Sequence, residues 1–484
     1  MEDRKYILLA LLYALLLFPG HYAYKLAALP ENTVLIADTD GTYLGTVKSA
    51  LWGLATPWPG PDVSIFTDVT LGSAFAFLPV TAVWLATGID PWIVMILLNA
   101  LFTFAYLAII LKIMQRLLPG GEWKYAFPIL LFANGIGGLL YFPLSTLGRF
   151  TEAGLGNLFW GWMTSAALYQ TFTLFTGYAA FLALLEGRNR TTTTLMFLTF
   201  LVYPIAGVLF SCMIIAYSLF TGSLRVSLKV VAPSLAALLP WMYFISMNVV
   251  PYLKLSAFYA TPILAPEAFI LTVLINSGIA VLLAGYAVSR KGFFGEGHRK
   301  FLCEWAAALL AGIFLQAAIK GIDVSKLLVM YWVPLSMMAG IGLVGVASRL
   351  KIRPEFAFMA VVALSLPSFA LFWGHNGAVV TSTMDRDVYE SLLFLRSQSQ
   401  GTVLAEPGIG RYVPYIAEKR SLTGAPLPDP GALAAYDEFL SGNYGILQER
   451  NISYIVMQGS HAGSVAERIY SSGNVSVYRV KEIV

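Results

Sequence analysis

The sequence predicts an α-helical polytopic membrane protein with about eleven transmembrane helices, juxtamembrane helices in its first outer loop, and a small C-terminal α/β domain. Three observations predict it. Of 484 residues, 58% are hydrophobic and only 12% charged, whereas soluble domains keep roughly a quarter of their residues charged. The charges are clustered, which leaves uncharged stretches such as Pro91–Leu111 and Leu327–Ser348. Each can cross a hydrocarbon layer of about 30 Å as a helix. From Asp385 onward the pattern changes to short strands and helices punctuated by Gly and Pro. Backbone in lipid must satisfy its own hydrogen bonds, so the apolar stretches read as helices.

The first apolar run, Tyr6–Tyr24, follows Arg4 and Lys5 but has no clear small-residue cleavage site, and reads as a retained first helix. With the N-terminus cytoplasmic, Leu29–Asp68 lies outside. If Val69–Ile89 then crossed, Lys112, Arg116 and Lys124 would all fall outside, against the positive-inside bias. That run also carries Gly72 and Pro79, which weaken a helix. It therefore reads as a juxtamembrane or re-entrant segment with both ends outside.

The remaining basic clusters then share one side. Pro91–Leu111 enters, Tyr125–Leu147 leaves, and Leu158–Leu185 returns to Arg188 and Arg190. Thr191–Leu224 is uncharged, with Pro204 in its middle, and reads as a hairpin of two short helices. Val230–Asn248 leaves, Ala268–Ser289 enters, Trp305–Ile319 leaves, Leu327–Ser348 enters and Phe356–Trp373 leaves. Residues 1–376 form the membrane domain, with the first outer loop at 29–90. Residues 377–484 form an extracytoplasmic domain, in a multi-pass protein of the cell membrane. In the tail, Asp387–Ser397, Leu433–Leu440 and Tyr444–Arg450 read as helices, and Thr402–Ala405 and Ser453–Met457 as strands. Of the sequons at Asn451 and Asn474, the first falls in a buried strand.

Several classes are excluded. No basic run interleaves with aromatics, so nucleic acid is not a partner. Cys212 and Cys303 lie in or beside apolar helices, with no disulfide framework and no metal spacing. The informative segment is the long first loop, where Asp38, Asp40, Asp62 and Asp68 accompany Tyr43, Trp52 and Trp58. Simple connections are a handful of residues. Acidic groups at the outer surface could act on a substrate whose lipid half stays in the bilayer. Ordinary turn aspartates account for the same residues, Asp40-Gly41 being a good turn pair.

Asp38-Thr39-Asp40-Gly41-Thr42-Tyr43 after a first helix, an apolar run ending in Gly88-Ile89-Asp90-Pro91, and a helix ending in basic residues form an order that resembles the GT-C glycosyltransferases. These are the polyprenyl-phosphate-sugar-dependent enzymes that include mannosyltransferases and oligosaccharyltransferases. Gly154-Leu155-Gly156-Asn157-Leu158, and Asp323-Val324-Ser325-Lys326 leading to Pro334-Leu335-Ser336, are similar to segments of the same proteins. So are the tail runs Gly401–Leu404 and Asn451–Val456. The likeness covers most of the chain as architecture. The tail has no Trp, so the Trp-Trp-Asp motif of oligosaccharyltransferases is missing. Transfer of a whole oligosaccharide to asparagine is disfavoured accordingly.

The resemblance implies a donor of polyprenyl-phosphate sugar, a glycan, lipid or protein acceptor, and a carboxylate base for the acceptor hydroxyl. Asp40 is the first candidate and Asp38 the alternate, with Tyr43 beside them. A cation at the outer surface would stabilise the departing lipid phosphate. Lys326 is the first choice, followed by Lys320 and Arg149, although a lysine at a helix end also snorkels without any such role. Glu152 is a candidate second acid or a solvated loop residue. Asp38 and Asp40 could contribute to a divalent-cation site if a third acid joined them. Two other classes remain: a transporter, against which stands the near absence of mid-helix charge and of repeats, and a non-catalytic relative that binds lipid-linked glycans.

Overall fold

The computed structural model describes residues 2–37, 79–132, 168–240, 242, 266–290, 293, 297–318, 325–375, 381–410, 412–423, 430–459 and 463–481. These residues pack as two compact units, Met1–His21 with Ile96–Val379 and Tyr22–Met95 with Val380–Val484. The fold is mostly helical. Among the described residues, four helical stretches are long and apolar enough to cross a membrane: Asp3–Ala27, Pro91–Leu117, Leu168–Leu185 and Met330–Leu350.

Helix α1 (Glu2–Leu15) passes through a π-turn, Leu16–Gly20, into α2 (His21–Ala27). Pro19 sits inside that turn and has no N–H to continue the regular ladder. One side of α1 buries Ala10, Tyr13 and Ala14, while Ile7, Leu8, Leu12 and Leu15 stay exposed. A helix that is apolar all round suits lipid on its outer side. Helix α3 (79–87) precedes Gly88, whose φ is +70°. Next come α4 (Pro91–Leu117) and α5 (Trp123–Phe132), where Tyr6 of α1 packs edge-on against Trp123 and Tyr13 against Phe132.

The predicted hairpin around Pro204 is present. Helix α6 (Leu168–Leu185) is followed by α7 (Asn189–Val202) and α8 (Pro204–Phe220), which meet at the extended Tyr203. Thr176 of α6 bonds Thr199 of α7 at 2.9 Å, whereas Tyr178 packs on Phe210 and Phe181 on Tyr217 of α8. Helix α8 therefore runs parallel to α6 and antiparallel to α7. Helix α9 (Leu224–Ser234) starts six residues before the predicted Val230, taking Arg225 and Lys229 into the helix.

Helices α10 (Pro266–Ser289), α11 (Gly297–Ala318), α12 (Ser325–Leu350) and α13 (Pro354–His375) complete the bundle. Helix α12 is its axis, with Met330–Leu343 buried throughout. Small residues let neighbouring backbones approach it. A Cβ on Gly340 would stand 2.8 Å from that of Ala126 in α5, and one on Gly342 would collide with the Leu283 carbonyl of α10. Trp332 donates from its indole to the Leu130 carbonyl at 3.0 Å, which fixes α12 against α5 at a second level.

One end of the bundle gathers the helix termini that carry the basic residues. Asp3 meets Gln115, Arg116 pairs with Glu186 at 3.0 Å, Arg299 pairs with Glu122 at 3.5 Å, and Tyr125 bonds Glu355 at 2.8 Å. Lys300 lies over the Phe220 ring at 5.6 Å. Helices α1 and α13 both start at this end and run away from it.

The second unit is built on a mixed sheet between two helical layers. Strands β3 (Thr402–Ala405), β4 (Arg420–Ser421), β5 (Ile452–Gln458), β6 (Ala466–Ser472) and β7 (Val475–Val480) lie in the order β4-β3-β5-β7-β6. Strand β3 is parallel to β4 and β5, and β7 is antiparallel to β5 and β6. Alternate residues face opposite sides. Val403, Tyr454 and Val456 pack towards α14 (Arg386–Arg396), whereas Leu404, Ile455 and Met457 pack towards α15 (Pro430–Leu440) and α16 (Gly445–Glu449). Asn451 does not lie in a strand: it is exposed, at φ 51°, just ahead of β5. Asn474 is exposed in the β6–β7 turn.

A second sheet has no counterpart in the sequence prediction. Strand β1 (Thr33–Ala37), directly after α2, pairs antiparallel with β2 (Thr381–Asp385), from Thr33↔Asp385 to Ala37↔Thr381. Ile36 is 4% exposed, inside the core formed by Met384, Val388 and Leu392. Ile36→Ala is expected to destabilise this unit by about 2–5 kcal/mol, seen as faster limited proteolysis of residues 381–481 in the intact chain. Gly342→Val should cost about 1–3 kcal/mol through overpacking, seen as a lower thermal midpoint of the whole protein in detergent.

Candidate functional site

Most of the residues singled out by sequence, namely Asp38, Asp40, Tyr43, Arg149, Glu152 and Lys320, lie outside the described residues. Lys326 falls in the first turn of α12, but its side chain is likewise outside them. The structure does fix where the acidic stretch starts. Strand β1 ends at Ala37, opposite Thr381, and Asp38 is the next residue.

The same unit holds an acidic site that the sequence reading passed over. Asp90 precedes Pro91, which takes the first position of α4, where its missing N–H costs nothing. Asp90 Oδ1 accepts the Trp92 backbone N–H at 2.8 Å, a cap that satisfies one of the helix's free donors. The same oxygen accepts the hydroxyl of Tyr415 at 3.4 Å, from the π-turn Val413–Ala417. Tyr22 of α2 packs edge-on against Trp92, with centroids 6.4 Å apart.

The electrostatics follow from this geometry. Burial pushes the Tyr415 phenol well above its ordinary range, and the Asp90 carboxylate pushes it further, with Tyr389 and Tyr22 adding to the effect. Burial also raises Tyr389 on α14, again with Asp90 contributing and Arg396 opposing. A carboxylate thus sits among phenols that stay protonated at neutral pH. Such phenols donate and accept hydrogen bonds, and the Asp90 side chain is exposed. The cluster can bind a hydroxyl-rich molecule by pairing carboxylate and phenols with its hydroxyl groups and the rings with its C–H faces.

Two cations of this unit, Lys419 and Arg396, have partners of their own. Lys419 is buried and donates to the Gln398 carbonyl at 2.7 Å, and burial lowers its pKa, with Glu418 opposing. Glu418 in turn pairs with Arg396 at 2.8 Å. Among the described residues no three His, Cys, Asp or Glu side chains form a group that could hold a metal ion.

The signal for Asp90 was present as an Asp-Pro pair ahead of an apolar run, a helix-start pattern. Nothing in the sequence pointed to Tyr22, Tyr389 and Tyr415, because only folding brings them to it. In comparisons with known proteins, no protein-family profile and no curated protein matches this chain.

The pH dependence has a definite sign. The folded state holds Tyr415 above its unfolded value of about 10, so its contribution is complete below that pH and is lost as pH rises towards the folded value. Thermal unfolding of the intact protein from about pH 8 to 12 should show a falling midpoint above about pH 10. Tyr415→Phe should flatten that fall, and a slope unchanged in the variant would remove Tyr415 as its source.

Proposed function

We propose that the protein is a membrane glycosyltransferase of the GT-C type, with about eleven crossings. It moves a sugar from a polyprenyl-phosphate donor to an acceptor on the outer face of the membrane. The observation that supports this reading best is the β1–β2 ladder. Hydrogen-bonded strands share one compartment, so the chain leading into the acidic loop lies on the same side as the C-terminal domain. The basic residues at one end of the bundle support a cytoplasmic orientation of that end, by the positive-inside bias. Helices α1 and α13 both start at that end.

In the proposed reaction the acceptor hydroxyl gives its proton to Asp40, or to Asp38 as the alternate. Its oxygen forms a bond to the anomeric carbon. The bond from that carbon to the phosphate oxygen breaks, and the electron pair leaves with the polyprenyl phosphate. A cation stabilises the new charge, with Lys326 the first choice and Lys320 and Arg149 behind it. Asp90 and its tyrosines, in the same unit as β1, provide a surface on which acceptor hydroxyls can be held.

Asp40→Asn is the deciding variant. Sugar transfer from a polyprenyl-phosphate donor in membranes should fall by about 10²–10⁴-fold, while donor binding persists. Transfer at the parental rate removes Asp40 as the base, and labelling of a cysteine at position 40 from the cytoplasmic side removes the topology.

A further inference from the structure

Three helices bring hydroxyl groups to one level of the bundle. Helices α4 and α6 run parallel: Thr171 donates to Asn99 at 2.7 Å, and Phe102 packs on Phe172 and Phe175 with centroids 5.2 and 5.8 Å apart. Two turns further along each helix stand Tyr106 and Tyr178. Helix α1 and its continuation run antiparallel to α4, since Asp3 meets Gln115 near one end and Tyr22 meets Trp92 near the other. Counting ten residues on from Asp3 and nine back from Gln115 sets Tyr13 level with Tyr106. The chemistry agrees with the count: Tyr106 interacts electrostatically with both Tyr13 and Tyr178, and Thr103 stands beside it, one turn earlier.

The group is sealed from solvent. Tyr13 is 2% exposed, Tyr106 and Tyr178 1%, and Thr103 0%. Tyr106 lies fifteen residues after Pro91 and eleven before Leu117, near the middle of its span. The rings are held in place, Tyr13 edge-on against Phe132 and Tyr178 against Phe210. A phenol oxygen lies on the axis of its ring, so neither hydroxyl can swing away to another partner. Among the described residues the hydroxyls of Tyr13 and Tyr178 meet no hydrogen-bond partner. An unpaired hydroxyl at the centre of a membrane domain is costly, and two at one level call for a common explanation.

We propose that Tyr13 and Tyr178, with Tyr106 and Thr103 beside them, form a site for bound water at the centre of the membrane domain. Water suits the group better than an ion does. In α1, α4 and α6 no charged residue lies within five positions of any of the three tyrosines, so these helices supply no counter-charge. Hydroxyls both donate and accept, as water does. A buried water makes about three hydrogen bonds, a number that two phenols and one neighbouring hydroxyl match. Such water ties α1 to α4 and α6 in mid-membrane, where their side chains do not bond directly. This inference needs only that the bundle spans a membrane and is independent of the chemistry at Asp40.

The test uses the full chain in lipid nanodiscs. Brief X-ray radiolysis turns bound water into hydroxyl radicals, which oxidise the side chains that touch it, and mass spectrometry reads the products. Tyr13 and Tyr178 should oxidise several-fold faster than Phe127 and Phe200, which are buried as deeply. Tyr13→Phe and Tyr178→Phe then separate water from bare burial by sign. A water-bonded hydroxyl stabilises, so each variant should lower the thermal midpoint by a few degrees, and the double variant should lose less than the sum, because both act on one site. A hydroxyl buried without any partner destabilises, so removing it raises the midpoint. Oxidation no faster than at the two phenylalanines, an unchanged or raised midpoint in either single variant, or strictly additive losses overturns the assignment.

Discussion

The β1–β2 ladder is the constraint on which the arrangement of the chain depends. Five residues that follow α2 complete a sheet with five residues that follow α13, the last helix of the bundle. Ile36 is then sealed into the core of the C-terminal unit beside Met384 and Val388. Burying such a side chain is worth roughly 1.5–3 kcal/mol, and the ladder adds backbone bonds that a loose loop would lack. The first loop is thus bound to the C-terminal domain at its entrance, before its acidic stretch begins. Asp90 makes a second tie in the same unit, since its carboxylate closes the start of α4 and accepts Tyr415 from the tail.

The bundle depends on a different kind of fit. Without a hydrophobic gain from leaving lipid, helices associate through close packing and polar contacts, and α12 shows both. Gly340 and Gly342 admit α5 and α10 to backbone distance, and Trp332 reaches a carbonyl of α5. Thr176 with Thr199, and Asn99 with Thr171 at 2.7 Å, are buried interhelical bonds of the same type. Leucines on the outside of α1 and α4 remain exposed, as a lipid-facing surface requires.

The sequence made some of this legible and hid the rest for physical reasons. Long uncharged runs with basic ends carried the helices, because in lipid hydropathy and secondary structure are almost the same constraint. Pro204 announced the break between α7 and α8, and the strand Thr402–Ala405 was readable from its β-branched and apolar run. Strand β1 was missed although Thr33-Val34-Leu35-Ile36-Ala37 is a strand-like run. Its partner lies at the other end of the chain and no local signal names it. Among the candidate site residues, composition singled out Asp38 and Asp40, whereas Asp90 earned attention only once three distant tyrosines had gathered around it.

The separation of the ladder's two strands bears on how the protein is made. Ala37 and its partner Thr381 are 344 residues apart. A ribosome adding about 5–20 residues per second leaves the first strand alone for roughly 20–70 s while the intervening helices enter the bilayer. Throughout that interval its backbone donors and acceptors form an open edge, which is an invitation to mispairing. Emergence of residues 381–385 is therefore the event that closes the edge, and any nascent chain stalled before position 381 keeps it open to the quality-control machinery.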